Sequence, residues 1–342
     1  MPDAEPVVEP GMYRNAVWAG WEFPDPTVIR VGSTYYAYAT GDRFQVMRST
    51  DLVHWDRLGP ALARRPEWAV STGDWHPWAP SVLPTEEACP GASRPGCFIL
   101  FYVGLSGRFG TATTNCTAVA TSPTPEGPFT DRGPLERTDE QRDGGWPVGC
   151  GDSAGYGNID PQPFVDADGR AWLYVSTDWR CTDACRLLPE ISVIPLAADR
   201  LRAAGGRRPL LAGQAQTWEQ APWTTVVENP YVVKRGATYH LLYSGGNWQG
   251  RYAMGHATSS SPTGPFTRSS QSPWASSTDS VLSMGGGMPI RDGAGDEWLV
   301  YHGRAGSLDL PRTLRIDRLS WTADERPSLD GPSTDIRTAP TP

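Results

Sequence analysis

One plan recurs along this chain and limits what it can fold into. It runs a Pro beside a polar residue, an apolar strand, a turn built on Gly, then a strand rich in aromatics. The clearest copy is Asn158-Ile159-Asp160-Pro161-Gln162-Pro163-Phe164-Val165, then Asp168-Gly169, then Ala171-Trp172-Leu173-Tyr174. Asp168-Gly169 reads as a hairpin turn, because Gly accepts the positive φ that tight turns need. A second copy opens at Asp25-Pro26 and a third at Glu228-Asn229-Pro230. Two copies lack the acid, Ala79-Pro80-Ser81 and Gly287-Met288-Pro289. A second element, Ala-Thr-Ser followed by Gly-Pro-Phe, recurs at 120–129 and 257–266. Copies spaced by roughly 60 to 70 residues predict propeller blades with inserted loops.

The expected fold is all-β, a five-bladed β-propeller, which fits 342 residues as one domain. With 33 Pro and 37 Gly, the chain is turn-rich, and no stretch carries helical periodicity. Residues 1–12 read as a disordered leader, 13–325 as the catalytic propeller and 326–342 as a C-terminal tail. Blades are expected to open near Asn15, Trp78, Asp160, Glu228 and Gly285. The alternation over Thr313–Trp321 predicts a closing strand.

A net charge of −8 and the absence of any Lys/Arg block exclude nucleic acid as a natural partner. No run is apolar enough for a membrane span. A neutral polysaccharide or oligosaccharide suits the surface, and a monomer is expected. Six Cys in a loop-rich chain favour an oxidising, extracellular compartment, although Met1–Pro6 carries no apolar signal core. Nearest neighbours suggest Cys89–Cys97 and Cys181–Cys185, leaving Cys116–Cys150.

If every blade begins near the axis, Asp25, Asp160 and Glu228 converge at one end, from equivalent positions of three blades. Two carboxylates flanking a bond are the equipment of a glycosidase. A third raises the pKa of the acid by like-charge repulsion. Taken singly, an Asp before Pro also reads as a turn opener. Of the 15 Trp, Trp78 stands immediately before a blade entry and is the first candidate for the pocket wall; Trp18, Trp21, Trp75 and Trp248 follow. Loops 86–97 and 130–156 are candidates to block one end of a binding groove.

Phe23-Pro24-Asp25-Pro26, Trp78-Ala79-Pro80-Ser81-Val82, Ile159-Asp160-Pro161 and Glu228-Asn229-Pro230 resemble, in that order, glycoside hydrolase family 43. The resemblance covers about residues 15 to 325. It implies a five-bladed propeller that hydrolyses arabinan, xylan or related polymers with inversion. It also implies Asp25 as general base, Glu228 as general acid and Asp160 as the residue that tunes and orients the acid. Trp78, Asn158 and Phe44 are the candidate substrate-binding residues. Arg48-Ser49-Thr50-Asp51-Leu52-Val53-His54-Trp55, and a Cys ahead of Val119-Ala120-Thr121-Ser122, are similar to the exo-acting α-L-arabinofuranosidases. Here Asn229-Pro230-Tyr231 follows the acid, where many relatives carry a small residue and Pro-Ser. β-Xylosidase, endo-arabinanase, galactofuranosidase and a non-catalytic sugar-binding propeller stand as alternatives. The chemistry needs no cofactor. The resemblance further implies a His on the axis that helps hold a metal ion, a structural Ca2+; His302 stands at that place, with a hydrogen-bonded core His as the alternative.

Overall fold

A computed structural model describes residues 8–107, 113–142, 145–151, 156–179, 189–213, 216–220 and 226–342. After β1 (Met12–Arg14), five antiparallel sheets follow in chain order. The first is β2 (Thr27–Val31), β3 (Thr34–Ala39), β4 (Gln45–Ser49) and β5 (Asp56–Pro60). The second is β6 (Trp78–Thr85), β7 (Cys97–Ser106), β8 (Thr114–Ser122) and β9 (Thr130–Pro134). The third is β10 (Tyr156–Val165), β11 (Ala171–Trp179), β12 (Glu190–Pro195) and β13 (Arg208–Ala212). The fourth is β14 (Val226–Arg235), β15 (Thr238–Gly246), β16 (Tyr252–Ser259) and β17 (Thr267–Arg268), with short β18 (Ala275–Ser276) also on β16. The fifth is β19 (Leu282–Arg291), β20 (Glu297–Arg304), β21 (Thr313–Trp321) and β22 (Pro327–Leu329). These are the five blades that the repeat predicts. Among the described residues, no helix is long and apolar enough to cross a membrane.

The Gly turns behave as their chemistry demands. Pairs Val31↔Thr34 and Arg235↔Thr238 enclose two-residue turns in which Gly32 and Gly236 take φ of 62° and 55°. In the third blade the pair Val165↔Ala171 encloses Asp166–Arg170, so Asp168-Gly169 sits in a longer connection, with Gly169 at φ 83°.

Side chains alternate across each strand, and every blade feeds two cores. On β7, Leu100 and Tyr102 pack toward the first blade, beside Tyr38 and Val46. Ile99 and Phe101 point the other way, onto Leu173 and Val175 of the third. The same division gives one apolar cluster between the third and fourth blades and one between the fourth and fifth. The last cluster joins the fifth blade to the first, through Val300 and Ile316 against Val28 and Ala37. Five inter-blade cores thus close the ring.

Both ends of the chain complete that closure. β1 pairs with β23 (Ile336–Thr338), Met12 opposite Thr338. Buried Asp317 accepts hydrogen bonds from Tyr13 Oη at 3.1 Å, Tyr301 Oη at 2.6 Å and Ser333 N at 3.0 Å. This corrects the reading of 326–342 as a tail: β22 finishes the fifth blade and β23 holds β1. Met12 likewise belongs to a strand rather than a leader; residues 1–7 lie outside the described residues. Disulfides join Cys89 to Cys97 and Cys116 to Cys150, as neighbour spacing suggests. Cys181 and Cys185 lie outside the described residues.

Candidate active site

The start of each inner strand and the end of its hairpin partner share one face of the propeller. The pairs Thr27↔Tyr38, Trp78↔Val103, Ile159↔Ser176, Glu228↔Ser244 and Gly285↔His302 mark that face. Loops leaving the second strands rise there too, and carry Thr40, Trp248 and Arg312.

Blade entry follows one backbone rule. In the second to fifth blades the inner strand bulges, with register jumps at Trp78/Ser81, Ile159/Gln162, Glu228/Tyr231 and Gly285/Met288. The first extra residue of each bulge is left-handed: φ is 46° at Ala79, 51° at Asp160, 48° at Asn229 and 60° at Gly286. Asp25, ahead of β2, has φ 51° and belongs to the same series. Such φ values are uncommon away from Gly, and Asp and Asn tolerate them best. Strain held this way concentrates at functional sites.

The expectation that three acids occupy equivalent positions is therefore corrected. Asp25 and Asp160 are equivalent, and the equivalent residue of the fourth blade is Asn229. Glu228 stands one residue earlier, in register with Trp78 and Ile159. Because the bulge residue turns in on the axis, Asp25, Ala79, Asp160, Asn229 and Gly286 ring a narrow axial cavity. Glu228 faces the adjoining pocket instead, a space of about 430 Å³ lined by Asp25, Asp160, Glu228, Trp78, Trp248 and Arg312, among others. Asp25 and Asp160 reach both spaces.

Each carboxylate has its own surroundings. Asp25 Oδ2 accepts from Thr40 Oγ1 at 2.7 Å, and Oδ1 faces Arg312 at 3.9 Å. Arg312 is paired in turn with exposed Glu22 at 3.2 Å. Asp160 touches the cavity but is desolvated by the protein around it. Burial, then the charges of Glu228 and Asp25, push its carboxyl well above the usual range, while the Asn229 N–H at 3.0 Å opposes the shift. Glu228 Oε1 lies 2.6 Å from Tyr252 Oη, and the same hydroxyl lies 2.7 Å from Asn229 Oδ1.

His302 is buried beneath Asp25. Its Nδ1 accepts the Asp25 backbone N–H at 3.0 Å, and its ring lies parallel to Tyr252 at 6.0 Å. Burial, then the charges of Arg312 and Arg304, hold it neutral. The 3.7 Å approach to the Asp25 carboxylate is therefore not an ion pair. With Nδ1 accepting, the proton sits on Nε2, which is buried without a hydrogen-bond partner. A metal needs a nitrogen lone pair, and this ring has none left to give. Among the described residues no group of three His, Cys, Asp or Glu is arranged to hold an ion. The residues present do not fit a metal held by His302 in this orientation.

Of the aromatic candidates, Trp78 and Trp248 line the pocket. His76 stacks on Trp78 with centroids 4.0 Å apart, and its Nδ1 meets Asn115 Oδ1 at 2.8 Å. Trp75 is core, and Trp18 and Trp21 stand outside the pocket lining. Two candidates are corrected. Phe44 is wholly buried between Trp75 and Tyr102, because its left-handed backbone turns the ring inward. Asn158 is wholly buried as well, donating from Nδ2 to Val148 O at 2.8 Å; Ile159 takes the pocket side, and alternation sends Asn158 the other way. The loop 86–97 sits at the opposite face, beyond the pair Thr85↔Cys97, and cannot block the pocket. Thr40, Arg312 and Tyr252 went unread in the sequence. Each belongs to a loop or third strand outside the repeated hairpin, and nothing local marks them.

Several known proteins are similar to this chain. A beta-D-galactofuranosidase (xynD) of Aspergillus niger is 26% identical over 299 residues, which is 85% of this chain and 76% of that protein. An extracellular exo-alpha-(1->5)-L-arabinofuranosidase (ArbA) of Cellvibrio japonicus is 23% identical, over 90% of this chain and 86% of its own length. A thermostable family-43 glycoside hydrolase shares the fold with a TM-score of 0.78 at 24% identity, covering 96% of this chain and 99% of that one. Residues 13–327 match the model of glycosyl hydrolases family 43, and the chain belongs to that family of inverting glycoside hydrolases.

Proposed function

We propose that the protein is a secreted, monomeric exo-α-L-arabinofuranosidase that releases arabinose from arabinan or arabino-oligosaccharides. The observation that carries this reading is the convergence of Asp25, Asp160 and Glu228 on one compact pocket walled by Trp78 and Trp248. The pocket is concave, Trp faces suit sugar rings, and an exo-acting relative supports the exo mode. A relative that acts on arabinofuranosides supports the choice of sugar.

In this reading Asp25 is the general base. Thr40 ties down Oδ2, so Oδ1 is the oxygen that takes a proton from water. Glu228 is the general acid and protonates the departing glycosidic oxygen. Asp160 is the modulator. Its carboxyl and that of Glu228 disfavour each other's charge, which helps keep a proton in the site. Arg312 lines the pocket and places a positive charge 3.9 Å from the base. No cofactor enters any of these steps.

The test compares nitrophenyl α-L-arabinofuranoside, β-D-xyloside and β-D-galactofuranoside, and follows products from linear arabinan. Arabinose alone from the first minutes, with the arabinofuranoside fastest, is the expected result. A ladder of oligosaccharides overturns exo-action, and a faster xyloside or galactofuranoside overturns the sugar.

A further inference from the structure

The Tyr252 hydroxyl has one proton and two acceptors. Glu228 Oε1 is 2.6 Å away and Asn229 Oδ1 is 2.7 Å away. Both distances are those of full hydrogen bonds, and one O–H donates well to only one of them. The arrangement is rigid. Tyr252 is buried, its ring lies over His302, and Asn229 is held by its own N–H to Asp160. A second observation concerns the repeat. Where the first and third blades place an Asp at the left-handed entry position, the fourth places the neutral Asn229, beside Glu228.

Resting on Glu228 as the general acid, we propose that Tyr252 and Asn229 are a positioning pair whose hydrogen bond switches acceptor with the protonation of Glu228. When Glu228 carries its proton on Oε2, toward the leaving oxygen, neutral Oε1 is the weaker acceptor and Tyr252 donates to Asn229 Oδ1. When Glu228 has given that proton to the leaving oxygen, Tyr252 turns its own proton onto the new carboxylate. No proton leaves Tyr252 at any point; burial and the Glu228 charge keep its phenol protonated. The acid thus stays in one orientation in both states. The charge that develops on it meets a donor already in place, where electrostatic help is worth most. Around Glu228 stand the carboxyls of Asp160 and Asp25, the guanidinium of Arg312 and neutral His302 behind Tyr252.

Two substitutions move the pH profile in opposite directions. Tyr252→Phe keeps the ring and deletes the donor to the carboxylate. The ionised form loses more than the protonated form, so the alkaline limb of kcat/KM rises by about one pH unit. Turnover of arabino-oligosaccharides falls by about 10- to 100-fold, while an activated aryl arabinoside, which barely needs protonation, changes little. Asn229→Gly deletes the competing acceptor and leaves the phenolic proton always on Glu228, so the alkaline limb falls. Gly suits this backbone, as Gly286 shows at the equivalent place. Circular dichroism and melting confirm that each variant is folded. Should Tyr252→Phe not fold, the direction of the Asn229→Gly limb decides alone. Limbs that stay put, or that move the same way in both variants, overturn the proposal. Glu228→Gln runs in parallel: equal loss on both substrate types removes the acid assignment itself, whereas leaving-group discrimination there with none in Tyr252→Phe overturns the pair alone.

Discussion

Thr40 Oγ1 donates to Asp25 Oδ2 at 2.7 Å while accepting the backbone N–H of Ala79 at 2.7 Å. The hydroxyl proton is thereby committed to Asp25, and one blade fixes the base with help from the next. Asp25→Asn is expected to lower turnover by about 10² to 10⁴ and leave the fold intact. Thr40→Val is expected to lower kcat by about 10-fold with KM little changed, since it frees the carboxylate without removing it. Steady-state kinetics on folded variants check both. Near-parental turnover by Asp25→Asn would end its assignment as the base.

Asp160 carries opposite consequences for stability and for catalysis. Its folded pKa is raised, so the charged form is disfavoured by folding at neutral pH, and stability falls as pH rises through the unfolded value of about 3.9. Asp160→Asn removes that cost and keeps an oxygen for the Asn229 N–H, so the melting temperature at pH 7 is expected to rise. The same change removes a negative charge beside Glu228, so the alkaline limb of the rate profile moves down. A variant that melts lower than the parent at pH 7 contradicts this account.

Cys116 on β8 is tied to Cys150, between β9 and β10 and 34 residues on in sequence, so the segment read as a loop from 130 begins as strand β9. Chain entropy assigns closure of such a loop about 3–4 kcal/mol. Asn115, next to Cys116, meets His76, and His76 stacks on Trp78. The Cys116→Ser/Cys150→Ser variant is expected to lose stability by about that amount and to raise KM more than it lowers kcat. Urea denaturation together with initial rates tests both halves, and unchanged stability would remove the first.

Buried histidines set the acid limit. His240 Nδ1 and His256 Nε2 are 3.0 Å apart in stacked rings. Burial lowers both pKa values, that of His256 to about 4, with help from His240 and Arg326. Glu325 opposes the shift at His240, and Arg235 adds to it. An unfolded His binds its proton near pH 6.5. Between about pH 6.5 and 4 the unfolded state therefore binds more protons, and stability drops as pH falls through this window. Melting temperatures should decline there and less steeply in His256→Gln. A flat profile across the window rules the mechanism out.

The repeat made the blades legible because its turns and alternation are local. Gly32, Gly169 and Gly236 all hold the positive φ that their places in the hairpins imply. Bulges are not local in this sense. Pro230 follows Asn229 as Pro161 follows Asp160, so the match was in the sequence; the acid at Glu228 drew the reading one residue away, and pairing with β15 makes the shift plain. Phe44 and Asn158 went astray for a related reason: near the pocket in sequence, they point away from it in space. The last strands were too short and too polar to stand out, and only their partners reveal them. Tyr252 reaches Glu228 from a neighbouring strand pair, at a place that no periodicity marks.

The ring closed by β1 and β23 also gives the chain a timetable. A growing polypeptide presents Asp25 first, yet the His302 that holds its backbone and the Arg312 that faces its carboxylate come some three hundred residues later, with separations of 277 for the hydrogen bond to His302. Domains fold as units during synthesis, and here the unit is not whole until Ile336–Thr338 has emerged. The base is thus made early and armed late. Ending the chain at Arg326 should leave a product that is unfolded or inactive, although every carboxylate of the pocket is present. An active, cooperatively melting 1–326 fragment would show that the blades assemble without this last seam.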